Sequence, residues 1–152
     1  MWGCFPLYWA LLNHVNPSEV LIHRMLWAVP VLFLLVHFKP SWKNNFKESL
    51  SSKKELVFLF ITAILITINW GGYIYAVNLG RVVEASMGYF LSPVINMIGG
   101  YIFFHERISK LKQLAVFFAA VGALYYVFSG DLFPWLGFLV GFTFSAYGIA
   151  RK

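Results

Sequence analysis

A chain of 152 residues that is 60% hydrophobic, 20% aromatic and only 12% charged falls outside soluble domains, which average ~25% charged residues, and into the membrane class. One cysteine, Cys4, excludes an internal disulfide or a multi-cysteine metal site. The net charge of +6 invites a nucleic-acid reading, but the placement of the charges argues for topology instead.

Six apolar segments follow in order. Trp2 to Leu12 is short for a crossing: its length gives ~17 Å against a hydrocarbon core of ~30 Å. It lacks a basic n-region and a small-residue cleavage site, so it is not read as a signal peptide; either it is an incomplete first helix or the chain lacks its natural start. Asn16, Pro17 and Glu19 mark a helix start, with Asn16 as N-cap and Pro17 at N1. The second segment, 20–38, carries His23 and Arg24 near its start and Pro30 near its centre. A lysine-rich loop, 39–55, precedes the third segment, 56–77, which contains Asn69, Tyr73 and the pair Gly71-Gly72.

The fourth segment lies in EASMGYFLSPVINMIGGYIFFHER, Glu84 to Arg107. Twenty uncharged residues, 85–104, match one helical crossing. Ala85, Gly88, Ser92, Asn96 and Gly99 recur at helical spacing, so one face is small and polar. Such a face suits a packing wall or a polar cavity, not lipid. Pro93 removes a backbone donor to the Tyr89 carbonyl and predicts a bend. The fifth segment, 113–129, has alanines at 115, 119 and 123. The sixth, 132–150, has Gly137, Gly141 and Ser145 at the same spacing. Both are small-xxx-small seams.

Ten of the twelve Lys and Arg residues fall in 39–55, 105–112 and the C-terminal pair. The alternate loops hold Arg81 alone. This asymmetry predicts a cytoplasmic N-terminus and cytoplasmic basic loops facing anionic lipid.

No phosphate loop, completed HExxH or G-x-S-x-G elbow is present. The chain is therefore read as a non-enzyme with no catalytic residue, cofactor or metal. What remains is intramembrane polarity. Arg24 has two readings: a snorkelling side chain paired with Glu19 or Glu84, or a fixed positive charge facing an outward cavity. Asn69 and Asn96 read either as interhelical hydrogen bonds or as ligands for a solute. Tyr73 and Tyr89 offer hydroxyls and stacking faces beside them. Arg24, Asn69, Tyr73, Tyr89 and Asn96 are the candidate substrate-binding residues.

The run from Glu19 through His23-Arg24 to Trp27, Asn69-Trp70, the block Glu84 to Phe90 followed by Ser92, Pro93 and Asn96, and Phe103 to Arg107 resemble the EamA family of the drug/metabolite transporter superfamily, within it the RarD-like subgroup. The resemblance implies a ten-helix bacterial inner-membrane transporter built from two inverted five-helix repeats around a central cavity. On it, residues 1–129 correspond to a first repeat with a clipped first helix, and 130–152 to the first helix of a second repeat. The expected fold is an all-α, polytopic membrane protein of about six transmembrane helices, half of a ten-helix inverted-repeat transporter. The expected function is secondary transport of a drug or metabolite, as a partial permease. The alternative is a non-transporting fragment or helical subunit that needs a partner half. A second half-transporter or a homodimer is the implied protein partner.

Overall fold

A computed structural model describes residues 5–12, 14–39, 42, 46, 50–130 and 133–151. Six helices are resolved among them: α1 (Phe5–Leu11), α2 (Pro17–Phe38), α3 (Lys53–Asn78), α4 (Val82–Phe104), α5 (Lys110–Ser129) and α6 (Trp135–Ala150). Cys4, Lys43 and Lys47 lie outside the described residues. The chain is an all-helical, polytopic membrane protein. Helices α2 to α5 run 20 to 26 residues with mean hydropathy of 1.3 to 1.9, long and apolar enough to cross a bilayer.

The helix starts follow local chemistry. Asn16 Oδ1 accepts the Ser18 backbone N–H at 2.9 Å, with Pro17 at the first turn of α2. Ser52 Oγ accepts from Glu55 N–H at the start of α3, and Ser109 Oγ from Lys112 N–H at the start of α5. The α3–α4 turn closes on Gly80 at φ +73°. There the Gly80 N–H donates to Val77 O and the Arg81 N–H to Ala76 O, the paired bonds of a Schellman stop. At the far end of α4 the left-handed position is taken by His105, at φ 53°.

Packing is uneven, and α6 is its centre. This helix lies against both α4 and α3 more extensively than any other pair of elements touches. Leu136, Val140 and Ser145 on it are fully buried, as is Asn69 on α3. By contrast α2 and α5 show almost continuous apolar side chains to the outside: α2 has no buried residue and α5 has one, Ala123. That exposed apolar surface suits hydrocarbon rather than water. Ala123 packs on Met87 and Leu91 of α4, so of the expected alanine seam only its last member is enclosed; Ala115 is exposed.

Candidate functional site

The small polar face of α4 meets α6 at backbone distance. A Cβ on Gly88 would overlap the Gly137 carbonyl oxygen, one on Gly137 would sit 2.5 Å from the Glu84 carbonyl oxygen, and one on Gly141 would sit 2.7 Å from the Gly88 carbonyl oxygen. Below this step the contact becomes polar: Ser145 Oγ donates to Ser92 O at 3.2 Å, and Ser92 Oγ to Gly88 O at 3.1 Å. The stripe through Gly88 and Ser92 is thus a packing wall filled by α6. Its two small-xxx-small faces interlock in register.

Glu84 closes the top of this seam. Its side chain is buried, 3% exposed. Its Oε1 accepts the Leu136 backbone N–H at 2.7 Å and, more weakly, the Gly137 N–H at 3.4 Å. The other oxygen pairs with Arg81 Nε. Helix α6 begins after Pro134 with no side-chain cap of its own, so its orphan N–H groups and positive dipole end are satisfied by an acid from α4. That arrangement overturns one expected pairing: Glu84 belongs to Arg81 and α6, not to Arg24.

Arg24 has gone to aromatic rings instead. Its guanidinium carbon lies 3.6 Å from the Trp70 ring centroid and 5.6 Å from that of Trp9. A planar, weakly hydrated cation stacks on indole well where water is scarce. On its open side Arg24 lines a cleft of about 530 Å³ between α1 and α2, together with Tyr8, Trp9, His23 and Trp27. His23 therefore shares the cleft, although it lies one residue around the helix.

Behind Arg24 the other candidates form a connected group across α3, α4 and α6. The Tyr73 and Tyr89 rings are 5.6 Å apart, and Tyr89 meets Phe144 edge-on at 5.5 Å. Asn69 is wholly buried. Its amide donates to Val140 O at 2.7 Å and to Thr143 Oγ1 at 3.1 Å, and its oxygen accepts from the Tyr89 hydroxyl at 3.4 Å. With both amide hydrogens engaged, Asn69 ties α3 to α6 and orients Tyr89. Asn96 stands apart. It is seven residues beyond Tyr89 on α4, roughly 10 Å along the axis, exposed, and beside Gly148 of α6. Pro93 is exposed and α4 continues unbroken through it. The structure thus brings Arg24, Asn69, Tyr73 and Tyr89 together and leaves Asn96 outside the group.

The model of the EamA-like transporter family matches residues 1–128. The chain belongs to that family. It is 38% identical over its whole length to an uncharacterized transporter of Bacillus subtilis, YojE, covering 52% of that protein. It is 33% identical to Protein RarD of Escherichia coli K12, again over the whole chain and 51% of the relative. The Chloramphenicol-sensitive protein RarD of Pseudomonas aeruginosa is 30% identical over 97% of the chain and 50% of its own length. The chain therefore spans about half the length of the curated relatives it matches. No solved structure matches it. Family and helices together make it a multi-pass bacterial membrane protein of a transporter family, and the Bacillus subtilis relative is named as a transporter. Several residues at the site were not among the candidates. Trp9, Trp70, Thr143 and Phe144 supply the rings and hydroxyl that hold Arg24, Asn69 and Tyr89. Only Trp70, adjacent to Asn69 in sequence, carried a signal that marked it.

Proposed function

We propose that this chain forms one half of a secondary transporter for small organic solutes in a bacterial inner membrane. On this reading, residues 1–129 are a first five-helix repeat and 130–152 the opening helix of a second. The N-terminus and the basic loops are cytoplasmic, as the positive-inside rule expects. The Arg24 cluster then sits toward the outer side, where α1 to α4 and α6 converge. The observation that carries the reading is this cluster: a guanidinium stacked on Trp70, beside the Tyr73–Tyr89 pair, bordering an open cleft within a helical membrane bundle. Intramembrane charge held in that way is a hallmark of solute paths. Arg24, Tyr73 and Tyr89 form the wall, Asn69 supports it, and Asn96 lines the path further in. The bundle alternates access by rocking against a partner half or a second copy.

The test is solute flux in proteoliposomes across a pH gradient, with the chain alone and with a partner half supplied. Arg24→Ala should abolish flux while membrane insertion is retained. Flux at the unaltered rate in Arg24→Ala would sink the site assignment. A second reading, a helical subunit without transport of its own, is favoured by the bare apolar faces of α2 and α5. It predicts no flux for the chain alone under any condition, and flux with the partner half present that is indifferent to Arg24→Ala.

A further inference from the structure

The Arg24 cleft has a chemistry that narrows its ligand. Among the described residues Arg24 makes no ion pair and no hydrogen bond; its contacts are the faces of Trp70 and Trp9. Stacking uses the face of a guanidinium and leaves its N–H edge available for a planar acceptor. Among the described residues no carboxylate lines the cleft. Glu84, the buried acid on the neighbouring helix, is held by Arg81 and the first turn of α6. His23, the other titratable nitrogen base lining the cleft, can be neutral or positive but never negative. The remaining walls are aromatic and aliphatic, with Tyr8, Trp9 and Trp27 presenting rings.

We propose that this cleft takes an organic monoanion, its carboxylate on the Arg24 edge and an aromatic or planar apolar body against Trp9 and Trp27. This inference rests on the transport reading and names the solute class for it. Among the described residues Arg24 is the one fixed cation lining the cleft and pairs with one negative charge; with His23 neutral, a dianion's second charge finds no partner there, and a cation would meet Arg24 directly. The ring walls favour a solute with an apolar face over a short-chain acid.

The experiment is equilibrium binding to the full chain in lipid nanodiscs, using a matched set of probes. 3-Phenylpropionate carries ring and carboxylate; 3-phenylpropanamide is neutral, 3-phenylpropylamine is cationic, propionate lacks the ring, and phenyl phosphate is a dianion. Saturable binding is expected for 3-phenylpropionate, at least tenfold weaker binding for the amide, propionate and phenyl phosphate, and none for the amine. Arg24→Gln should reduce 3-phenylpropionate binding by roughly tenfold to a hundredfold, the loss of a charge-assisted bidentate contact. Arg24→Lys keeps the charge without the planar fork and should fall between. The probe series needs no variant, so a misfolded Arg24→Gln does not shield the idea. Equal binding of amide and acid, preference for the amine, or no binding by any probe overturns it. Flux measured on the same protein reconstituted in proteoliposomes separates the two readings. Arg24-dependent binding of the acid without flux leaves the ligand class standing and removes transport. Flux of a neutral or cationic solute that is indifferent to Arg24→Gln leaves transport standing and removes the ligand class.

Discussion

Glu84 offers the most direct test of how the bundle is held. Substituting alanine removes the acceptor for the buried Leu136 N–H at 2.7 Å and leaves Arg81 without its partner. A hydrogen bond to a charged group contributes about 1.5–3 kcal/mol, and a buried donor left unmet adds its own desolvation cost. The second bond, to Gly137 N–H at 3.4 Å, is too long to add much. Glu84→Ala should therefore destabilise by about 2–4 kcal/mol. Glu84→Gln retains an oxygen for the Leu136 N–H and loses only the charge, so about 1–2 kcal/mol is expected. Arg81→Gln should cost less still, about 0.5–1 kcal/mol, because the Arg81 side chain is 27% exposed and solvent screens the pair. Thermal unfolding of the three variants in one detergent gives the ordering, at ~2–4 °C per kcal/mol for a chain of this size. If Glu84→Ala melts with the unaltered protein, or Glu84→Gln melts below it, the cap does not hold α6.

The glycine seam makes a second prediction. Gly88→Ala and Gly141→Ala each force helix backbones apart and should lower stability by about 1–3 kcal/mol, whereas Gly122→Ala, whose Cβ would meet nothing within 4 Å, should be neutral or slightly stabilising in the same melts. Asn69→Leu should cost about 1–3 kcal/mol by removing the buried bonds that tie α3 to Val140 O and Thr143 Oγ1 and the acceptor of the Tyr89 hydroxyl. Tyr89→Phe, which loses only a 3.4 Å bond, should melt within about 0.5 kcal/mol of the parent.

The helices could be read directly because their signals are local. Asn16, Ser52 and Ser109 cap where they stand, and apolar runs have the length of a crossing. The small face of α4 was equally visible, but whether it met solute, lipid or protein depended on what lay opposite. The complementary spacing of Gly137, Gly141 and Ser145 was the available clue, since two matching small faces favour each other over a cavity. Arg24 was legible as an anomaly, yet its partner was not. Choosing Trp70 over Glu84 requires the rotation and depth of three helices, and six tryptophans in the chain blur any signal from one. The capping role of Glu84 left a subtler trace. Residues 133–135 contain no Ser, Thr, Asp or Asn to start α6, which leaves the place of a cap open to another segment.

These contacts divide the bundle into parts of different stiffness. Backbone-level contact between α4 and α6 cannot slide without breaking the interlock at Gly88, Gly137 and Gly141, and Asn69 pins α3 to the same unit. Helix α2 is attached chiefly through its first two turns, where Val20 and Leu21 meet Trp9, Ile74 and Val77; beyond Arg24 its side chains are largely exposed. A conformational change would therefore carry α3, α4 and α6 as one body and pivot α2 near Arg24, moving the charge relative to the Tyr73–Tyr89 pair. Spin labels at the exposed positions Ile98 and Phe142, on α4 and α6, should give a narrow distance distribution in nanodiscs. Labels at Leu34 and Phe60, on α2 and α3, should give a broad one. Equal widths for the two pairs would show that α2 is held as firmly as the core, and the charge at Arg24 would then be a fixed part of the wall rather than the element that moves.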